Sequence, residues 1–447
     1  MTQVAVIGAG YVGLVLASWL ADCGHRTTCV EISQDRLKML QAGKSPIHEQ
    51  GLEPLLQRSL ANGNLSFTAD IREAVASHQV IFIAVPTPQN ADGTADLSAF
   101  DSVAEVIHTC ARRGTAVAIK STVPVGTGDL LAQRLGEEDG TGVAVVSNPE
   151  FLREGTAVKD SMNPTRVVIG ASVREAGEKI ASLYDGLGAP VIHCSRRTAE
   201  LSKYASNAFL ATKISFINEI AGICCATGAD IGAVAEIMGA DPRIGRHYLK
   251  AGLGWGGSCL PKDVSALIHT AASLHVQSPI IRAAAAINKG QREYAVKSLE
   301  TELAGLKGKT VAVLGLAFKP GTDDVRESAG LDLAVRLVAA GAEVRAHDPV
   351  ALGPAGRSLT SPAYCEDPYE AASACDAVIL ATEWPQYDLL DWGRVGSLMK
   401  RRVIFDGRNA LDQQRLSSLG FTYLSFGRRP YRRLSGDHQV AGTAAST

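Results

Sequence analysis

The chain has 447 residues, 46% hydrophobic and 20% charged, with a formal net charge of −2. At about 150 residues per domain, that length implies two or three domains with real cores. The charge balance gives no electrostatic case for nucleic acid or an anionic membrane surface. The strongest basic cluster, Arg428, Arg429, Arg432 and Arg433, reads as a solvated tail.

Nine cysteines without regular spacing are no disulfide framework. The pair Cys224-Cys225 and Cys23, Cys29, Cys110, Cys194, Cys365 and Cys375 read as small buried hydrophobes. Neither CxxC nor HExxH occurs, so no metal site is expected. No apolar run reaches the ~20 residues of a membrane helix. Met1-Thr2-Gln3 leads straight into an apolar strand, leaving no room for a signal peptide. A reducing cytoplasm fits these features.

The first ~195 residues alternate short apolar runs with amphipathic stretches, as in a parallel sheet with crossover helices. Strands are predicted over 4–8, 27–31, 80–85, 116–121, 143–147, 167–170 and 191–194. Gly8-Ala9-Gly10-Tyr11-Val12-Gly13 follows the first of these and opens a helix, so GxGxxG stands in the context that gives it meaning. Gly8 suits the tight turn, Gly10 the approach of a pyrophosphate and Gly13 close helix–strand packing. Glu31 closes the second strand, where a carboxylate can hold a ribose diol and repel a 2′-phosphate. NAD is therefore favoured over NADP, a preference that Arg36 nearby tempers.

From about 198 to 227 the turn signals vanish. Leu201, Ala205, Ala208, Phe209, Thr212 and Phe216 recur at helical spacing and predict one long buried helix. Further helix is predicted over 231–238, 264–274 and 279–299. Between them lies Gly254-Trp255-Gly256-Gly257-Ser258-Cys259-Leu260-Pro261-Lys262-Asp263. Its glycines let a ligand approach the backbone, and Pro261 suits the first turn of the following helix. Cys259 then falls at a helix N-terminus beside Lys262, and both features favour the thiolate. Such a thiolate adds to an aldehyde, giving a thiohemiacetal that is oxidised to a thioester, and Asp263 is near enough to act as base for the water that releases a carboxylate. By spacing alone, Cys259 reads equally well as a structural cysteine in a tight turn.

The βα alternation restarts with strands predicted over 310–315, 343–347, 377–381 and 403–406. This restart carries Gly315-Leu316-Ala317-Phe318 without GxGxxG, which fits a mononucleotide site better than a second dinucleotide site. The fold class is α/β, with two Rossmann-like doubly wound domains joined by a central helical domain that contains one long helix. The domains are expected at 1–197, 198–298 and 299–430, with a disordered tail over 431–447.

Seven motifs in order resemble the UDP-glucose/GDP-mannose dehydrogenase family. They are GAGYVG at 8–13, KSTVPVGT at 120–127, NPEFLREGTAVKD at 148–160, LSKYASNAFLATKISFINEIA at 201–221, DPRIG at 241–245, GWGGSCLPKD at 254–263 and LGLAFKPGTDDVRES at 314–328. The resemblance implies an NAD-binding domain, a central helical dimerisation region and a C-terminal domain for the nucleotide-sugar. It implies Cys259 as nucleophile, with Asp263 and Thr122 handling the hydrolytic water. Lys203 and Asn207, one helical turn apart, would bond the reacting oxygen. Glu150 and Glu154 would serve as water-handling or acid/base groups, and the acceptor of the first alcohol proton stays unassigned.

NAD would be held by Gly8, Gly10, Tyr11, Val12, Gly13, Glu31 and Arg36, together with Thr87, Ser121, Thr122, Glu154, Lys262 and Arg326. The substrate would meet Phe151, Leu152, Arg153, Glu154, Lys203, Asn207 and Cys259, and also Tyr248, Lys250, Gly256, Phe318, Lys319 and Arg408. Arg243 would enter the neighbouring subunit's site, making a homodimer functional. DPRIG and FDGRN point to the glucose branch with a pyrimidine, UDP-glucose or TDP-glucose, while Leu260-Pro261 also suits the GDP-mannose branch. A uracil-to-thymine methyl is worth only ~1–3 kcal/mol in a pocket. A hydroxy-acid dehydrogenase would leave the GGSC loop unexplained, and a non-catalytic NAD sensor would not need Cys259, Lys203, Asn207 and Asp263 together.

Overall fold

The computed structural model describes residues 1–137 and 142–429, so the tail expected from 431 onward lies outside the described residues, as do Arg432 and Arg433. By its internal contacts the chain divides into two compact units. Of the described residues, the first takes those within 1–212, 257–283 and 321–323, and the second takes 213–256, 284–320 and 324–429. The division falls inside the long helix Arg196–Thr227, so the helical middle contributes to both.

The first unit is built on eight strands: β1 Gln3–Ile7, β2 Arg26–Val30, β3 Leu65–Thr68, β4 Val80–Ile83, β5 Ala116–Ile119, β6 Ala144–Ser147, β7 Val167–Ala171 and β8 Val191–Cys194. Their order is β3-β2-β1-β4-β5-β6-β7-β8. Val80-Ile81-Phe82-Ile83 and Ala116-Val117-Ala118-Ile119 are buried throughout, as strands covered on both faces require. The sheet is not wholly parallel as expected: β6 and β7 run antiparallel, with Ser147 opposite Gly170. The segment 148–166 therefore leaves and re-enters the sheet at the same end, the carboxyl end of β6. The turns after β1 and β5 lie at that end too, where ligands bind in open α/β sheets.

The second unit carries β9 Thr310–Leu314, β10 Glu343–His347, β11 Ala363–Tyr364, β12 Ala377–Leu380, β13 Val403–Asp406 and β14 Thr422–Ser425, all parallel, in the order β11-β10-β9-β12-β13-β14. This is the order of the first six strands of the other sheet. Three strands were not predicted, β3, β11 and β14, and each is an edge strand. Edge strands need less apolar sequence because one side lacks a neighbour.

Two expectations about the long helix need correction. Leu201, Ala205, Phe209 and Phe216 are exposed, whereas Ala199, Tyr204, Ala208, Ala211, Ile217, Ala221 and Cys224 form its buried side. The helix is also long and apolar enough, by length and composition, to cross a membrane, with a mean hydropathy of 1.4 over its best window. The absence of an unbroken apolar run had concealed this. Its buried Lys203 and Asn207 are bonded to other segments of the first unit, the arrangement of a core helix. Cys23 is exposed just past the first helix rather than buried, and Cys110, Cys194 and Cys225 are half-buried.

Candidate active site

The glycine loop leaves β1 at Gly8, whose φ of +107° excludes most side chains, and an added Cβ would come within 2.6 Å of the Ala84 carbonyl. Gly10 precedes the helix Tyr11–Asp22, and a Cβ there would meet nothing within 4 Å. Open space at a helix N-terminus fits the approach of a pyrophosphate. Past β2, the buried Glu31 accepts the Ser33 N–H and the Arg36 Nε, each at 2.9 Å. Arg36 also donates to the Ala9 carbonyl at 2.7 Å. This arginine is thus committed to Glu31 and the loop, while the carboxylate retains acceptor capacity for a diol.

Tyr11 donates its hydroxyl to Asp323 at 2.9 Å, and burial pushes its pKa up. Thr87 donates to the Thr122 carbonyl and Ser121 to the Val85 carbonyl, both at 2.7 Å, bracing the ends of β4 and β5 against each other.

Cys259 immediately precedes the helix Leu260–Ser273, with Pro261 in its first turn. It is half-buried, and the charges acting on its thiol are Glu150, Glu154 and Lys203, brought from distant segments. Lys203 donates to Glu150 Oε1 at 2.8 Å. Asn207 and Lys262 donate to the two oxygens of Asp263, each at 2.6 Å. Lys203 is 3% exposed and Asp263 1%, so these pairs sit in a low-dielectric interior where each charge depends on its partner. Burial alone would push the Glu150 carboxyl up; the Lys203 ammonium beside it outweighs this and holds it below the usual range. Burial would likewise lower Lys203, but Glu150, Cys259 and Asp263 together hold it raised.

The sequence reading of the cysteine is corrected on two points. Burial, with Glu150 and Glu154 adding negative charge, pushes the thiol up rather than down, against the pull of Lys203. The cation that favours the thiolate is Lys203, from the long helix, because the sequence neighbour Lys262 is spent on Asp263. Lys203 and Asn207 share a helix face, yet each is bonded to a different carboxylate.

The other expected residues of the first unit lie around this centre. Phe151 stacks under the Arg166 guanidinium, 3.8 Å from its ring centre, with the Lys203 ammonium at 5.6 Å. Leu152 donates its N–H to Glu150. Arg153 forks onto Asp160 and points outward. Thr122 and Lys203 line a small cavity together with Ser147, Pro149 and Glu200.

In the second unit, Asn218 and Asn288 pin the loop before the cysteine: Gly252 N–H donates to Asn218 at 2.8 Å and Trp255 N–H to Asn288 at 2.7 Å. Gly254, at φ +86°, has the Asn288 amide where a Cβ would stand. Arg408 donates to the Ala381, Gly254 and Phe318 carbonyls, at 2.6, 3.1 and 3.4 Å. Gly256 lies against Phe318, over whose ring Lys319 sits at 5.3 Å. Gly256, Phe318, Lys319 and Arg408 are thereby gathered. Arg326 forks onto Asp324, Arg243 forks onto Asp241 with its side chain 87% exposed, Lys250 is exposed, and Tyr248 adopts φ +64°.

Several contributors went unassigned in the sequence. Ser258 donates to Glu154 at 2.7 Å. Glu49 caps Gly155 and Ala157, holding the Glu154 loop, and Glu200 caps Gly126 and Gly128. Lys120 donates to Asn148 and Tyr184, and the buried Arg292 donates to the Trp255 carbonyl. Lys120 and Ser258 lay in quoted motifs; Glu49, Glu200 and Arg292 are ordinary polar residues whose partners are remote in sequence.

Family models match three consecutive stretches, the NAD binding domain over residues 2–187, the central domain over 197–290 and the UDP binding domain over 312–413. The chain belongs to the UDP-glucose/GDP-mannose dehydrogenase family. Within this family, a UDP-glucose 6-dehydrogenase from Pseudomonas aeruginosa is 45% identical over 445 residues, spanning 95% of this chain and 97% of that one. One from Bacillus subtilis is 43% identical, spanning 97% and 94%. The structure of a UDP-glucose dehydrogenase from the archaeon Pyrobaculum islandicum superimposes with a TM-score of 0.86 at 44% identity, covering 92% of this chain and 95% of that one. NAD is the family's cofactor, and the glycine loop and Glu31 fit it.

Proposed function

We propose that this protein oxidises UDP-glucose to UDP-glucuronate, reducing two NAD per sugar, with Cys259 carrying the second oxidation. The observation that carries this reading is the cysteine at a helix N-terminus, beside the buried Lys203–Glu150 pair and one turn before Asp263, which Asn207 holds. When bound, NAD supplies the hydride acceptor. Lys203, already raised in pKa and buried, offers a fixed positive charge to the oxygen of the C6 alcohol and aldehyde. The Cys259 thiolate adds to the aldehyde carbon, and oxidation of that thiohemiacetal leaves a thioester. Asp263, held by Asn207 and Lys262, helps a water attack the thioester, which frees the carboxylate and the thiol. Gly256, Phe318, Lys319 and Arg408 hold the nucleotide-sugar.

A homodimer belongs to this reading. Leu201, Phe209, Phe216 and Ile223 recur along one exposed face of the long helix, at 45–65% exposure, a stripe suited to a second copy of the chain. Arg243, exposed on the loop that follows the helix Ile231–Ala240, is free to reach that copy's substrate site if its fork on Asp241 opens. The nine free cysteines suit a reducing cytoplasm.

Replacing the nucleophile tests the proposal. Cys259→Ser removes the thioester route, so production of UDP-glucuronate should fall by about a thousandfold or more. A variant that still makes UDP-glucuronate at the original rate contradicts it.

A further inference from the structure

Two carboxylates, Glu150 and Glu154, act on the Cys259 thiol, a third, Asp263, stands in the first turn of the helix it precedes, and their hydrogen bonds separate their roles. Both oxygens of Asp263 accept side-chain bonds, from Asn207 and Lys262. Both oxygens of Glu150 are also engaged, by Lys203 and the Leu152 N–H. Glu154 is the one joined to the sulfur through a hydroxyl: Ser258 Oγ lies 2.7 Å from Glu154 Oε1 and 3.5 Å from Cys259 Sγ. A carboxylate only accepts, so the single serine proton points at Glu154, and the serine lone pairs are left for the thiol S–H. The chain of donors runs from Cys259 to Ser258 to Glu154. Its far end is fixed, since Glu49 holds the Gly155 and Ala157 N–H groups at 2.6 and 2.8 Å.

We propose that Ser258 is a proton relay for the nucleophile, passing the Cys259 proton to Glu154 as the sulfur attacks the aldehyde. This rests on the reading of Cys259 as nucleophile. The S–H bond breaks and its proton moves to Ser258 Oγ, while the serine's own proton moves to Glu154 Oε1. The products are a thiolate, a serine whose new O–H points at that thiolate, and a neutral Glu154 carboxyl. The sulfur pair then forms the C–S bond. When water cleaves the thioester, the departing thiolate recovers its proton from Glu154 by the reverse path, so the cycle is neutral in protons at this site.

The relay answers a specific difficulty. Burial beside Glu150 and Glu154 holds the thiol protonated, with Lys203 as the opposing charge and Lys262 tied to Asp263. A thiol so placed needs a route for its proton at the moment of attack, and this hydroxyl connects it to an acceptor without solvent.

The test uses the full-length enzyme with NAD and UDP-glucose, comparing wild type with Ser258→Ala, Ser258→Thr and Glu154→Gln. Ser258→Ala should lower kcat about tenfold or more at neutral pH and move the acid limb of its pH profile upward. The KM for UDP-glucose should stay within about twofold, because the hydroxyl's partner is the nucleophile. Ser258→Thr, which keeps a hydroxyl, should recover most of the rate, and Glu154→Gln should shift the same limb. Alkylation of Cys259 by iodoacetamide, followed by peptide mass spectrometry, reads the same change without turnover: its pH midpoint should rise in Ser258→Ala.

An unshifted kcat profile and alkylation midpoint in Ser258→Ala would overturn the relay. So would a loss that Ser258→Thr does not recover. If Ser258→Ala does not fold, the Ser258→Thr and Glu154→Gln profiles decide by the same limb. Cys259→Ala separates the readings: two NADH per sugar in that variant removes the nucleophile itself, whereas an inactive Cys259→Ala beside an unshifted Ser258→Ala removes only the relay.

Discussion

The two sheets leave their first strands alike. The chain turns after β1 at Gly8, with φ +107°, and after β9 at Gly315, with φ +102°. Each turn is roofed by a helix glycine, Gly13 or Gly330, where a Cβ would strike the carbonyl of the turn glycine. Each second strand is followed by a carboxylate. There the likeness stops. In the first sheet the helix begins at once, Gly10 faces open space, and Glu31 takes only Ser33 and Arg36 among the described residues. In the second, residues 316–328 intervene before the helix Ala329–Ala339. Asp348 accepts the turn's own Leu316 and Ala317 N–H groups, at 2.7 and 3.0 Å, and the Trp384 indole at 3.0 Å. The N–H groups that would cradle a phosphate are already occupied by the protein's own carboxylate. Strand order alone does not make a dinucleotide site; the turn must keep its donors available.

The largest effect should come from removing that internal anion. Asp348→Ala strands buried donors and should cost on the order of 3–5 kcal/mol in denaturant unfolding of the second unit, with NAD affinity unchanged within about twofold. A fall in NAD affinity without loss of stability would break the contrast. Next, Gly330→Ala forces a methyl onto the Gly315 carbonyl and should cost ~2–3 kcal/mol, again sparing NAD. The mirror experiment is Gly10→Ala, which should leave the melting temperature nearly unchanged while weakening NAD, as read by fluorescence titration.

Smaller still, Glu31→Ala should raise the NAD Kd about tenfold and narrow the preference over NADP. An unchanged Kd would mean that this carboxylate is as internal as Asp348. The smallest effect concerns acid stability of the first unit. Lys203 and the Leu152 N–H hold the folded Glu150 pKa below its unfolded value of about 4.3. The stability this supplies is present above that value and is lost as pH falls through the folded pKa. Glu150→Gln should therefore show a shallower decline in melting temperature between neutral and acid pH than wild type.

The strands buried on both faces were legible because four or five consecutive β-branched or small apolar residues have few other uses. Where burial is one-sided or pairing is at an edge, as in Leu65–Thr68 and Ala363–Tyr364, that signal disappears. The antiparallel β7 was invisible, since direction depends on where the intervening segment must stand and not on the strand's own residues. The outer face of the long helix misled for a related reason: leucine and phenylalanine at helical spacing indicate something apolar to meet, not whether it lies in the same chain. The motif residues Cys259, Lys203, Asn207, Asp263 and Glu150 do converge, but their partners could not be read from adjacency. Lys262 stands close to Cys259 in sequence and serves Asp263, while the cation acting on the sulfur is Lys203. Ser258 carried no signal at all beyond its place next to the cysteine.

If one cysteine site performs two successive oxidations, as proposed, the NADH formed per UDP-glucose consumed must show it. Two NADH per sugar are expected, with UDP-glucuronate as the product. One NADH per sugar, with release of the aldehyde, would contradict it.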